Sequence, residues 1–221
     1  MVQNRRYRLL CPIARALDRI GDRWTLLILR DLHAGPARFA DLQYGLTGIA
    51  PNLLSGRLTQ LIQDGLIVKE DAAYGVTLYQ LTDLGRRTRE ILFELAMFGG
   101  RFAPDESPKK PGNLRTIAVT MASAARRAMA PDMDFTAVLR VDGEPFTLSV
   151  GGGDADMGAG ETEDADLIAE TSYEPLLAVS EGELAMDEFV GSHFRLEVKT
   201  PGKEIELMTL MGAMMAIFRG V

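Results

Sequence analysis

Asn52, Ser55, Thr59 and Gln63 recur every three to four residues through PNLLSGRLTQLIQD, and each carries an uncharged group that both donates and accepts hydrogen bonds. At about 3.6 residues per helical turn Asn52, Gly56, Thr59 and Gln63 share one side, flanked by Ser55 and Gln60. Leu54, Leu58, Leu61 and Ile62 then fall on the opposite side, where they can pack on a core. A helix polar in this way matches the donor and acceptor edges that base pairs show in the major groove of DNA. Gly56 has no side chain and lets the helix come close. Arg57, on the flank, can reach a phosphate or a neighbouring base. Pro51 opens the helix, and Lys69 and Tyr74 stand further on, where they can touch backbone or minor groove. Arg5, Arg6 and Arg8 add a basic patch able to lie along a duplex.

Catalytic chemistry finds no comparable set. The two histidines, His33 and His193, lie in unrelated segments, and Cys11 is the one cysteine. There is no Ser/His/Asp group and no paired carboxylates at a recognisable spacing, so neither an enzyme nor a cofactor is expected. An internal disulfide is excluded on the same count, and a Cys/His metal site is not expected. The stretch GGGDADMGAG is rich in glycine, but Asp154 and Asp156, then Glu161, Glu163 and Asp164, would repel a phosphate. A flexible loop between strands is the expectation there, with no EF-hand spacing for calcium.

Charge divides the chain of 221 residues. Residues 1–104 hold fourteen Lys/Arg against ten Asp/Glu, whereas residues 105–221 hold ten against twenty-one. A polyanion partner therefore suits the first half, and the acidic second half belongs away from it. The basic N-terminus is broken by Pro12 and Arg15 and reads as no signal peptide. The longest apolar stretch, Met208 to Phe218, is too short to span a bilayer, so a cytoplasmic protein without membrane contact is expected.

The elements that must hold the polar helix are legible from periodicity. Pro12 begins a helix carrying Ile13, Ala16, Leu17 and Ile20, and Asp22 caps a second with Trp24, Leu27, Ile28 and Leu32. A short third helix covers Phe39 to Tyr44, and the fourth runs from Pro51 to Asp64-Gly65. LIVKE and VTLYQL form a hairpin, and Thr82 caps one long helix from Asp83 to about Phe98. Helices, a tight turn, a further helix and a hairpin make the winged helix-turn-helix order. GGRFAPDESPKKPG reads as a linker, so the expected domains are 1–98, a linker over 99–112, and 113–221.

The segment from CPIARAL to DGLIVKE, followed by YQLTDLGR, resembles the HxlR-type winged-helix regulators over residues 11–98. The marks are CP near the start, GDRWTLLILR, RFADL, IAPNLLSGRL, DGLI and YQLTDLG. The resemblance implies a transcriptional regulator, a homodimeric repressor joined through its N-terminal and long C-terminal helices, on pseudo-palindromic double-stranded DNA. It also implies that Pro51, Asn52, Ser55 and Arg57 lie at the DNA surface, with Arg38 nearby. Ala50 and Gly56 depart from the family's usual Ser and polar residue. Some members sense oxidants or electrophiles through a cysteine at the CP position, which Cys11 occupies. Arg8, Arg15 and a helix N-terminus are features that favour a thiolate there, whereas a free cysteine is usually a small apolar filler.

Beyond the linker, NLRTIAVTMASAARRAM reads as a helix and FTAVLRV with EPFTLSV as a hairpin turning at Asp142-Gly143. DADLIAETS and FRLEVKT read as strands, Tyr173 to Val179 and Glu183 to Phe189 as short helices, and the C-terminus as a helix. The fold class expected is α+β, a winged helix followed by a sheet covered by helices on one face. The order ADLIAETSYEPLLAVSEGELAMDEFV before FRLEVKTP resembles sterol-carrier-protein-like domains over about 130–219. That implies an apolar tunnel between sheet and last helix for a small apolar ligand, or else a lipid-binding or transfer protein. Met208, Met211, Met214 and Met215, with Phe135, Phe146 and Phe194, are the candidate lining, although each also suits ordinary core filling.

Overall fold

The computed structural model describes residues 6–72, 75–102 and 113–219. Tyr74, Arg5 and residues 103–112 of the expected linker lie outside them. The chain forms two compact units, Met1–Thr88 and Arg89–Val221.

In the first unit, α1 (Pro12–Ile20), α2 (Thr25–Leu32) and α3 (Phe39–Gly45) precede α4 (Pro51–Gln63). Strands β1 (Ile67–Ala72) and β2 (Val76–Leu81) pair antiparallel, from Ile67 opposite Leu81 to Ala72 opposite Val76. Ala37 bridges to β2 by exchanging both backbone hydrogen bonds with Tyr79, at 3.0 and 2.9 Å. Asp22 starts α2 as expected: its Oδ1 accepts from the Trp24 and Thr25 N–H groups at 3.0 and 3.2 Å. Ile28, Leu29, Leu42, Leu54, Leu58 and Leu61 are fully buried, so the inner side of α4 belongs to the same apolar core as α2 and α3.

One long helix after the hairpin is not what forms. The chain makes a single turn, α5 (Asp83–Arg86), and restarts as α6 (Arg89–Gly99). Thr82 caps α5 through the Gly85 N–H, and the Thr88 hydroxyl donates to the Gly85 carbonyl at 2.6 Å. With its proton so directed, Thr88 Oγ1 accepts from His33 Nε2 at 3.0 Å, which makes His33 a structural tie. Gly85 is required here, since a Cβ would stand 2.0 Å from the Leu66 carbonyl oxygen. By compactness the first unit ends at Thr88, and α6 counts with the second unit.

That unit holds α7 (Thr116–Ala128), α8 (Tyr173–Glu181), α9 (Met186–Ser192) and α10 (Lys203–Arg219). Its sheet contains β3 (Phe135–Val141), β4 (Glu144–Gly151), β5 (Asp154–Ala159), β6 (Leu167–Thr171) and β7 (Arg195–Val198). The spatial order is β5-β4-β3-β6-β7, antiparallel except for the central β3–β6 pair. Asp142 and Gly143 both take positive φ, as the expected tight turn demands. The stretch GGGDADMGAG is not a loop: Gly152 and Gly153 turn the chain with positive φ, and β5 follows. Ala155 and Met157 point into the core while Asp154 and Asp156 face out to Arg126 and Arg89, the alternation of a half-buried strand. The other face of the sheet carries Arg140, ion-paired to Glu161 and Glu170 at 3.0 and 3.1 Å. No helix among the described residues is long and apolar enough to cross a membrane.

Candidate nucleic-acid interface

Helix α3, a turn through Gly48 at positive φ, and α4 form a helix-turn-helix, and α4 is the helix whose outer side is open. Pro51, Asn52, Ser55, Gly56, Thr59 and Gln63 are all exposed, opposite buried Leu54, Leu58 and Leu61. Ile62, expected among the packed residues, is instead partly exposed at the rim. A Cβ at Gly56 would meet nothing within 4 Å, so the glycine leaves room on the outer side and not toward the core.

Two of these side chains are partly committed to the helix itself. Asn52 Oδ1 accepts from the Leu53 N–H at 3.0 Å, and the Thr59 hydroxyl donates to the Ser55 carbonyl at 2.9 Å. The first holds the Asn52 carbonyl oxygen and points the amide group to solvent. The second fixes the Thr59 rotamer at little cost, as hydroxyls in helices commonly do.

Arg57 departs from its expected outward reach. Its Nε is buried 3.2 Å from Asp22 Oδ1, close enough to ion-pair though not aligned for a hydrogen bond. Asp22 is thereby shared between the start of α2 and the side of α4, which sets the angle at which α4 stands. A second latch acts at the other end, where Arg19 Nη1 meets Asp64 Oδ1 at 2.9 Å and Gln60 Nε2 donates to Asp64 Oδ2 at 3.1 Å. Sequence reasoning identified Asp22 as a cap but missed both latches. Their partners lie 35 and 45 residues apart in the chain (Asp22 with Arg57, Arg19 with Asp64), beyond any helical periodicity.

Cations flank the open side. Arg38 is exposed at the N-cap of α3, its backbone N–H bonded to Asp41 Oδ2 at 3.0 Å. Lys69 is exposed on β1 opposite Tyr79, and Arg6 and Arg8 are exposed near the N-terminus. Glu70 and Asp71, also exposed on β1, set two carboxylates beside Lys69, so this strand is less favourable to phosphate than Lys69 alone suggested. Tyr74 lies outside the described residues. Cys11 sits half-buried at the N-cap of α1 without a side-chain capping bond.

The candidate ligand residues separate. Phe194, Met211 and Met214 line an apolar cavity of about 40 Å³ between the sheet and α10. Phe135 and Phe146 do not reach it and are fully buried core residues. Met208 is half-buried away from it, and Met215 faces a different, larger pocket. About 40 Å³ is room for roughly one water, far below the ~300–1,000 Å³ of small-molecule sites.

Residues 19–107 match the family described as HxlR-like helix-turn-helix. The chain is 36% identical over 90 residues to YtfH, an uncharacterized HTH-type transcriptional regulator of Escherichia coli, covering 39% of this chain and 70% of that one. It is also 36% identical over 94 residues to the uncharacterized HTH-type transcriptional regulator Rv3095 of Mycobacterium tuberculosis, covering 42% of this chain. The match spans 59% of that mycobacterial relative's length. The solved structure of PA1607 is similar at 42% identity and a TM-score of 0.42, over 47% of this chain and 74% of that one.

Proposed function

The chain belongs to the HxlR-like helix-turn-helix family, and from that premise we propose that it is a DNA-binding transcriptional regulator that reads base edges with the outer side of α4. One observation carries this reading: Asn52, Ser55, Gly56 and Thr59 lie exposed while Leu54 and Leu58 between them are buried. Asn is the side chain suited to adenine, and Ser and Thr pair with several base edges. Arg38, Lys69, Arg6 and Arg8 supply phosphate contacts that position the helix without reading sequence. Arg57 acts through Asp22 by fixing the angle of α4.

The active form is a homodimer. Support comes from apolar side chains left exposed on two helices: Leu9, Leu10, Ile13 and Leu17 at and before α1, and Ile91, Leu95 and Phe98 on α6. Apolar stripes of this kind mark an interaction surface, and two-fold pairing matches two half-sites. The C-terminal unit, which resembles sterol-carrier-protein-like domains in its element order, is the receiver of a small apolar molecule. Cys11, partly accessible at a helix N-terminus, supports a second reading as a thiol sensor. An unchanged oxidant response in Cys11→Ser disposes of it.

The test is fluorescence anisotropy of the full chain on DNA from upstream of its own gene, against scrambled duplex, over a salt series. The expected outcome is a salt-dependent complex at least ~10³-fold tighter on one segment than on the scrambled duplex. Equal affinity for every duplex at every salt concentration overturns the reading.

A further inference from the structure

The second unit holds an apolar-lined concavity apart from the cavity beneath the sheet. It is a pocket of about 550 Å³ walled by α6, α7, α8 and α10, with no strand residue in its lining. That volume lies inside the range of small-molecule sites. Met97, Met121 and Met215 come from three different helices to line it, beside Ile117, Leu177 and Phe218. Thioether side chains of this kind repack around varied apolar shapes.

Charge tells what such a guest carries. The second unit is rich in acid, and its arginines are mostly spoken for: Arg89 with Asp156, Arg126 with Asp154, Arg127 with Glu90 and Glu94, Arg140 with Glu161 and Glu170. Arg101 and Arg219 line the pocket, and neither forms an ion pair among the described residues. Glu181 is the acid in the lining. Burial and the neighbouring Glu183 push its carboxyl up, so it holds its negative charge less firmly than an ordinary glutamate. Two guanidiniums without an ion pair among the described residues, set against one weakened carboxylate, favour a single negative charge.

Helix α6 gives the pocket a consequence. Ala96, Met97 and Gly100 wall the pocket, whereas Ile91, Leu95 and Phe98 form the exposed apolar stripe on the opposite side of the same helix. We propose that this pocket binds an amphiphile with one negative charge, its apolar body among the three methionines and its anion between Arg101 and Arg219, and that occupancy biases the dimer through α6. The regulatory half of the proposal rests on the dimer reading above; the binding half does not. Linkage requires only that the guest prefer one setting of α6.

The probe pair is 8-anilinonaphthalene-1-sulfonate and N-phenyl-1-naphthylamine, which share an apolar body and differ in the anion. Titration of the full chain by fluorescence is expected to give one saturable sulfonate site per chain, at least ~10-fold tighter than the neutral amine. Arg101→Ala/Arg219→Ala, at exposed positions, is expected to lose that difference while keeping the wild-type melting transition. Glu181→Gln tightens the anion severalfold, and Thr120→Trp fills the pocket and removes both probes. If Thr120→Trp does not fold, the arginine and glutamine variants decide alone. Equal affinity for the two probes, sulfonate binding indifferent to the arginines, or binding lost on dilution as a second copy departs overturns the proposal. So does a site in wild type that no probe enters, as when the chain's own residues fill it. None of these outcomes touches operator binding by the unliganded protein, so the two readings fail separately.

Discussion

The two units offer surfaces of opposite kinds. The candidate DNA surface is one exposed helix side, made by side chains within thirteen residues of each other on α4. The candidate ligand site is a hollow, made by four helices drawn from residues 96–219. A projecting surface asks only that its helix be held at the right angle, which the Asp22–Arg57 and Arg19–Asp64 pairs do. A hollow asks that several helices fail to close on each other. Function therefore tolerates change differently in the two places: outward residues of α4 can be altered without cost to the fold, while pocket residues are also part of the packing.

Leu58→Ala tests the first half of that contrast most severely. Leu58 is 1% exposed on the inner side of α4, and its truncation is expected to destabilise the first unit by about 2–5 kcal/mol. Operator binding should fall with it as the unit unfolds. A melting temperature indistinguishable from wild type by calorimetry breaks the assignment of inner and outer sides.

Gly56→Ala sharpens the contrast from the outer side. With open space around its Cβ, alanine is expected to raise stability by up to ~1 kcal/mol through helix propensity. If α4 lies close in a groove, the same methyl lowers operator affinity, so stability and binding move in opposite directions. Both rising together, in paired melting and anisotropy measurements, removes the close-approach role of Gly56.

The smallest effect concerns acid. Asp166 is held below the usual carboxylate value of 3.8, first by the Thr136 N–H and then by the Thr200 hydroxyl. Glu206 is held below 4.5, first by Lys203 and then by the Asp134 N–H. Depressed carboxylates contribute stability that is complete above those ordinary values and drains away as pH falls through the lower values of the folded protein. Both groups are half-buried and still in contact with water, which screens them, so the loss is modest. Asp166→Asn is expected to flatten the acid limb of the second unit's stability, followed by urea unfolding at a series of pH values. An unaltered limb removes Asp166 as its source.

The same contrast explains what could be read from residue order. The line of Asn52, Ser55 and Thr59 against Leu54, Leu58 and Leu61 was visible because both sides recur within a few turns, and α4 forms over Pro51–Gln63. The split at Thr88 was not, because it depends on the approach of Gly85 to Leu66 and on His33, both distant in the chain. Strand β5 was hidden by its glycines: Ala155 and Met157 give only two inward positions, and the arginines that pair its aspartates come from α6 and α7. The methionines of α10 announced apolar packing, yet periodicity could not say which of them meet space. Met214 faces the small cavity and Met215 the large pocket, one residue apart.

The claim that the outer side of α4 reads sequence is tested most directly by Asn52→Ala/Ser55→Ala. The quantity is the ratio of affinities for the operator and a scrambled duplex, measured at one salt concentration alongside the melting temperature. With ~1–3 kcal/mol of discrimination lost per good base contact, the ratio is expected to fall at least ~10-fold while melting and scrambled-duplex affinity stay at wild-type values. A ratio equal to that of wild type would contradict the account, because these side chains would then be exposed without being read.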